Sequence, residues 1–130
     1  MQEVRKMSET EKQIMMLIWQ AEELPVTASE VQQLAGDVKE WKHTTIATFL
    51  QKLYQKGLLR VVKKGNTNLY YPLVTEEEYL RFETMTFLQE VHKGSLKSFM
   101  SALCGQESEQ VWDEAELAEL QKMIEDRQML

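Results

Sequence analysis

Three threonines, at positions 44, 45 and 48, follow Lys42 and His43 and precede Lys52. Each threonine carries a hydroxyl that donates once and accepts twice, beside a methyl; each lysine carries three donors and a full charge. Such a group suits a partner that is anionic and also rich in hydrogen-bonding edges. Its surroundings strengthen that reading. From Trp41 to Pro72 the sequence is WKHTTIATFLQKLYQKGLLRVVKKGNTNLYYP, with six Lys and Arg and no carboxylate, in a chain of net charge −6. Lys63, Lys64 and Asn66 lie near the end of the same run. A carboxylate there would repel an anionic partner, so its exclusion marks one surface with its own task.

Catalytic chemistry finds no support. There is no phosphate-cradling glycine loop, no glycine-rich cofactor turn and no nucleophile–base pair recognisable by spacing. Two His and one Cys are too few for a dedicated His/Cys metal site. The expectation is a protein that is not an enzyme and needs no cofactor and no metal.

The elements that must position these side chains are legible from caps and periodicity. Ser8 with Glu11, and Thr27 with Glu30, have the spacing of capping boxes. The first opens a helix carrying Ile14, Leu17 and Ile18; the second opens a short helix through Val31 and Leu34 that Gly36 stops. A third helix starts at Lys42–His43 and ends at Gly57. Ile46, Phe49, Leu50 and Leu53 form its inward stripe, which puts Thr44, Thr48, Gln51 and Gln55 on the opposite face. LLRVVKKGNTNLYYP then reads as two β-prone runs around a Gly-Asn turn, a hairpin with Lys63, Lys64, Asn66 and Asn68 at or near its tip.

Thr75 with Glu78 opens a long helix to about Lys93, apolar on two sides and therefore expected to be sandwiched. Gly94 breaks it. Leu96, Phe99, Met100 and Leu103 form a further stripe ending near Gly105, and a last helix starts at Asp113 with Glu116 and carries Leu117, Leu120 and Ile124. Residues 1–74 hold ten Lys/Arg against eight Asp/Glu, and residues 75–130 hold five against thirteen. The shift predicts two domains, 1–74 and 75–130.

Three helices and a two-stranded hairpin make the layout of a winged helix-turn-helix, whose third helix enters the major groove of duplex DNA. A Lys- and Thr-rich helix alone is more often just a solvated face. The basic hairpin at the right distance and the acid-free run favour DNA. The predicted fold is thus mostly α: a winged helix-turn-helix followed by a helical dimerisation segment. The predicted DNA-binding residues are Lys42, His43, Thr44, Thr45, Thr48, Lys52, Lys63, Lys64 and Asn66. Residues 75–130 carry more apolar surface than so short a segment can cover, so a homodimer is expected, with Leu80, Phe87, Leu96, Phe99, Leu103, Leu117 and Ile124 as its shared core. A winged helix used only for docking to protein is the alternative of a different class.

The chain resembles, over nearly its full length, the penicillinase, methicillin-resistance and copper-operon repressor family of bacterial regulators. The resemblance is carried by SETEKQIMMLIW, by the run from Trp41 to Pro72, and by EEEY, FLQEVHKGSLKSF and ELAELQKMIED. It implies a cytoplasmic homodimeric repressor on a palindromic operator, with base contacts falling on Lys42, Thr44, Thr45 and Thr48. Thr45 and Thr48 match the family's residue types; Thr44 stands where Lys is frequent and His43 where Pro is common. In antibiotic-responsive relatives the C-terminal segment is cut after a membrane receptor-protease senses a β-lactam, and the family's Asn–Phe cleavage pair aligns with Ala102–Leu103. Copper-responsive relatives carry paired cysteines near the C-terminus; this chain ends ELQKMIEDRQML without them, although release by a metal or another signal stays an alternative.

Remaining residues receive structural expectations. Trp41 should pack at the start of the third helix, and Trp19 and Trp112 in a core or interface. His92 should serve the end of its helix, Cys104 should be a buried small side chain, and the eight Met should fill gaps between helices. No apolar run approaches membrane-spanning length, and the polar N-terminus and single Cys predict a reducing cytoplasm.

Overall fold

A computed structural model describes residues 5–36, 40–105 and 112–128. The elements run α1 (Glu9–Gln20), α2 (Ala28–Ala35), α3 (His43–Gln55), β1 (Leu59–Lys64), β2 (Thr67–Pro72), α4 (Glu76–His92), α5 (Leu96–Leu103) and α6 (Glu114–Gln128). Two compact units divide the chain, Met1–Phe87 and Leu88–Leu130.

In the first unit the capping boxes form as the spacing predicts. Glu11 N donates to Ser8 Oγ at 3.2 Å while Ser8 N donates to Glu11 Oε1 at 2.8 Å. Thr27 with Glu30 and Thr75 with Glu78 make the same reciprocal bonds. Helix α3 ends in a Schellman motif: Leu58 N donates to Leu53 O and Gly57 N to Tyr54 O, both at 3.0 Å. Gly57 takes the left-handed φ of 78° that the motif requires.

Ile14, Met15 and Ile18 of α1, Val31 of α2 and Ile46, Leu50 and Leu53 of α3 are fully buried together. Leu34 of the same helix is exposed. Val31 and Ala35, one turn apart, are the buried pair on this two-turn helix. β1 and β2 pair antiparallel in the register Val61↔Tyr70 and Lys64↔Thr67. Two residues therefore close the hairpin, and Gly65 supplies the φ of 62° its first position needs. Val26 adds a bridge to the outer edge of β2, exchanging backbone bonds with Tyr70 at 3.1 and 2.8 Å.

The first turns of α4 belong to this unit. Tyr79 is buried, its hydroxyl accepts from Met7 N at 2.7 Å, and its ring meets those of Trp19 and Phe82. Lys12 pairs with Glu83 at 2.6 Å, and Trp19 Nε1 donates to Val74 O at 2.9 Å. Tyr79 and Phe82 complete the core, so the compact unit extends past the 74/75 boundary read from charge. The other side of α4 carries Leu80, Met85 and Val91, 49–56% exposed in the single chain.

In the second unit Ser95 caps α5, accepting from Ser98 N at 3.0 Å. His92 Nδ1 meets Ser98 Oγ at 2.8 Å and its ring stands edge-on to Phe99, the structural role expected of it. Asp113 caps α6 through Ala115 N at 2.9 Å. Apolar side chains of α5 and α6, with Trp112, line a groove of about 290 Å³. Cys104, expected to be buried, is exposed. It ends α5 at the rim of this groove, where none of the described side chains encloses it.

Candidate nucleic-acid interface

Burial of Ile46, Leu50 and Leu53 fixes which way α3 faces. Thr44, Thr48, Gln51, Lys52 and Gln55 consequently stand exposed, while Thr45 is half-buried at the edge of that face. Thr48 Oγ1 donates to Thr44 O at 2.9 Å, one turn back along the helix. The Lys52 ammonium lies 4.9 Å from the centroid of the Phe49 ring, which holds its stem against the helix. Lys42 occupies the N-cap position but makes no side-chain capping bond. The N–H groups of the first turn therefore carry their partial positive charge towards the side that Lys42 and His43 share.

His43 and Asn66, distant in sequence, come together with Thr27, Ser29, Asn68 and Tyr70 around a cleft of about 260 Å³. It lies where the start of α2, the start of α3 and the hairpin tip meet. Thr27 and Ser29 were not among the residues predicted for the site. Thr27 was legible only as a helix cap; the spacing of the second and third helices was the signal that could have placed it beside His43.

Lys63 and Lys64 are both exposed, but successive strand residues point to opposite faces. Lys63 lies opposite Asn68, on the ribbon face that also carries Val61 and Tyr70 and borders the cleft. Lys64 lies on the reverse face with Val62 and Arg60, and Arg60 stacks 5.1 Å from the Tyr71 ring centroid.

One cation of the basic run is used internally. Lys56 Nζ bonds Glu11 Oε1 at 2.6 Å and Lys6 O at 3.0 Å, linking the end of α3 to the start of α1. Glu11 is only 2% exposed. Burial acts to raise the pKa of its carboxyl, but the bonds from Lys56 and Ser8 outweigh that and leave it below the usual value. Among the described residues no cluster of His, Cys, Asp and Glu could hold a metal ion, and no helix is long and apolar enough to cross a membrane.

The sequence profile of the penicillinase repressor family matches residues 7–126, nearly the whole chain. This chain belongs to the penicillinase repressor family. The penicillinase repressor of Bacillus licheniformis is 28% identical over 126 residues, covering 97% of this chain and 94% of that protein. The methicillin resistance regulatory protein MecI of Staphylococcus aureus (strain N315) is 27% identical over 95 residues, 73% of this chain and 76% of its own. Among solved structures, the DNA-binding domain of the repressor BlaI in solution superposes with a TM-score of 0.52 at 29% identity, over 61% of this chain and 94% of that domain. The family is one of transcriptional repressors rather than enzymes, and the winged-helix fold is that of its DNA-binding domain.

Proposed function

We propose that this protein is a cytoplasmic repressor that binds an operator in duplex DNA as a homodimer. Helix α3 enters the major groove, with Thr44, Thr45 and Thr48 at base edges and Lys42 and Lys52 at phosphates. The wing lies along the flanking backbone, with Lys63, Lys64 and Asn66 near phosphate and His43 beside them. The observation that carries this reading is the exposed, carboxylate-free face of α3, continuous in sequence with a basic hairpin, in a chain of the penicillinase repressor family. Phosphate contacts release counterions, so affinity must fall steeply with salt. Fluorescence anisotropy of the full chain with random-sequence duplex across a salt series tests this. A linear fall of log affinity with log salt is expected; no binding at low salt would leave a protein-docking module as the better reading.

The homodimer is supported by the uncovered apolar side chains of residues 75–130. Leu80, Leu96, Leu103, Leu117 and Ile124 are 39–59% exposed, and Phe87 and Phe99 complete the proposed shared core. A second copy offers the same faces in return, as a two-fold interface requires. The two α3 helices would then meet half-sites about one helical turn, roughly 34–36 Å, or a multiple apart.

Release follows from cutting the C-terminal segment, with a membrane receptor-protease as the partner that starts the signal. Ala102 and Leu103 lie exposed in the last turn of α5, where a helix opens most readily. A specific protease site introduced at Ala102–Leu103 tests the consequence: cutting should abolish tight operator binding while the first unit stays folded. Unchanged affinity after the cut would mean that release uses another signal.

A further inference from the structure

We infer that Thr48 reads a thymine through its methyl group, because its hydroxyl is committed to its own helix. This rests on the DNA-binding reading above. Thr48 is exposed on α3, and its Oγ1 lies 2.9 Å from Thr44 O. A backbone carbonyl only accepts, so the single hydroxyl proton of Thr48 is the one shared. In a helix the Thr side chain divides between rotamers according to that bond to the preceding turn. Here the bond holds Oγ1 back against the backbone, and the Cγ2 methyl is the group left to face outward.

The consequence for base reading follows from what each base offers in the major groove. Guanine presents two acceptors, N7 and O6, to which Thr48 has no proton left to give. Thymine presents the C5 methyl, an apolar group that a second methyl meets without competing with the Thr44 bond. Adenine and cytosine offer amino donors that could meet only the lone pairs of Oγ1, and Thr48→Val removes those lone pairs while keeping the methyl.

Selection from a random duplex pool with the full-length protein, followed by sequencing, tests the assignment. Wild type and Thr48→Val should enrich the same motif, with thymine at one shared position, while Thr48→Ser and Thr48→Ala should lose preference at that position alone. In the duplex that wild type selects, replacing that thymine by deoxyuridine should weaken binding about fourfold, the value of one buried carbon. The same replacement should not affect Thr48→Ala. Retention by Ser with loss by Val would show that the hydroxyl reads the base, and an unaffected deoxyuridine duplex would show that the methyl does not; either overturns the inference. A wild type that enriches no motif would overturn the sequence-reading proposal itself, a result distinct from both.

Discussion

The two compact units solve the burial problem differently. The first closes its apolar stripes on themselves: three helices, the hairpin and the first turns of α4 leave Ile14, Ile18, Ile46, Leu50 and Leu53 with no exposure at all. The second does not. None of the described side chains of α5 and α6 is buried, although Leu96, Leu103, Leu117 and Ile124 are as apolar as anything in the first core. A small two-helix segment lacks the volume to enclose a core. What differs between the units is therefore the number of layers available and not the hydrophobicity of their sequences. The described side chains of the first unit enclose a core of their own, and those of the second do not.

The sharpest way to break this comparison is to separate the units. A fragment of residues 1–87 should unfold cooperatively on its own, yet bind operator about 10²–10⁴-fold more weakly than the full chain, because linkage between two DNA-reading faces is lost. Circular dichroism melting and anisotropy titration read the two halves of that statement. A fragment that binds as tightly as the full chain would remove the need for a dimer. Charging the second unit should do the same without a truncation: Leu117→Lys should make the protein monomeric by sedimentation while the melting of the first unit is retained.

Within the first unit, Lys56 and Lys63 separate a structural cation from a docking cation. Lys56→Met strands the buried Glu11 carboxylate and should destabilise the first unit by about 2 kcal/mol. That is below the usual cost of breaking a buried pair, because Lys56 is partly exposed and Ser8 still bonds the carboxylate. The salt slope of DNA binding should not change. Lys63→Ala should have the opposite profile, with unchanged stability and a salt slope smaller by about one unit. Lys64→Ala should affect the slope less than Lys63→Ala, since it projects from the other face of the hairpin.

The smallest expected effect is on pH dependence. The folded state holds the Glu11 carboxyl below its ordinary pKa, so the stability it contributes is complete above that ordinary value, 4.5, and is lost as pH falls through the lower folded value. Glu11→Gln should flatten the acid limb of a stability–pH curve measured by urea denaturation. An equally steep limb in the variant would place the acid sensitivity in other carboxylates.

Much of this protein was determined by short-range chemistry and so was readable in its sequence. Capping residues act within one helical turn, and Ser8, Thr27 and Thr75 capped the helices that their spacing announced. The stripe on α3 marked its outer face, and the Gly-Asn pair closed the hairpin, because both depend on residues a few positions apart. Tertiary structure decided what depended on distant partners. It turned Lys56 inward to Glu11, 45 positions away, although nothing in the basic run distinguishes it from Lys52 or Lys63. It brought Thr27 and Ser29 beside His43 and Asn66, gave Tyr79 and the start of α4 to the first unit, and left Leu34 and Cys104 exposed. A pattern of apolar residues states that a face needs covering; only the packed chain determines what, if anything, covers it.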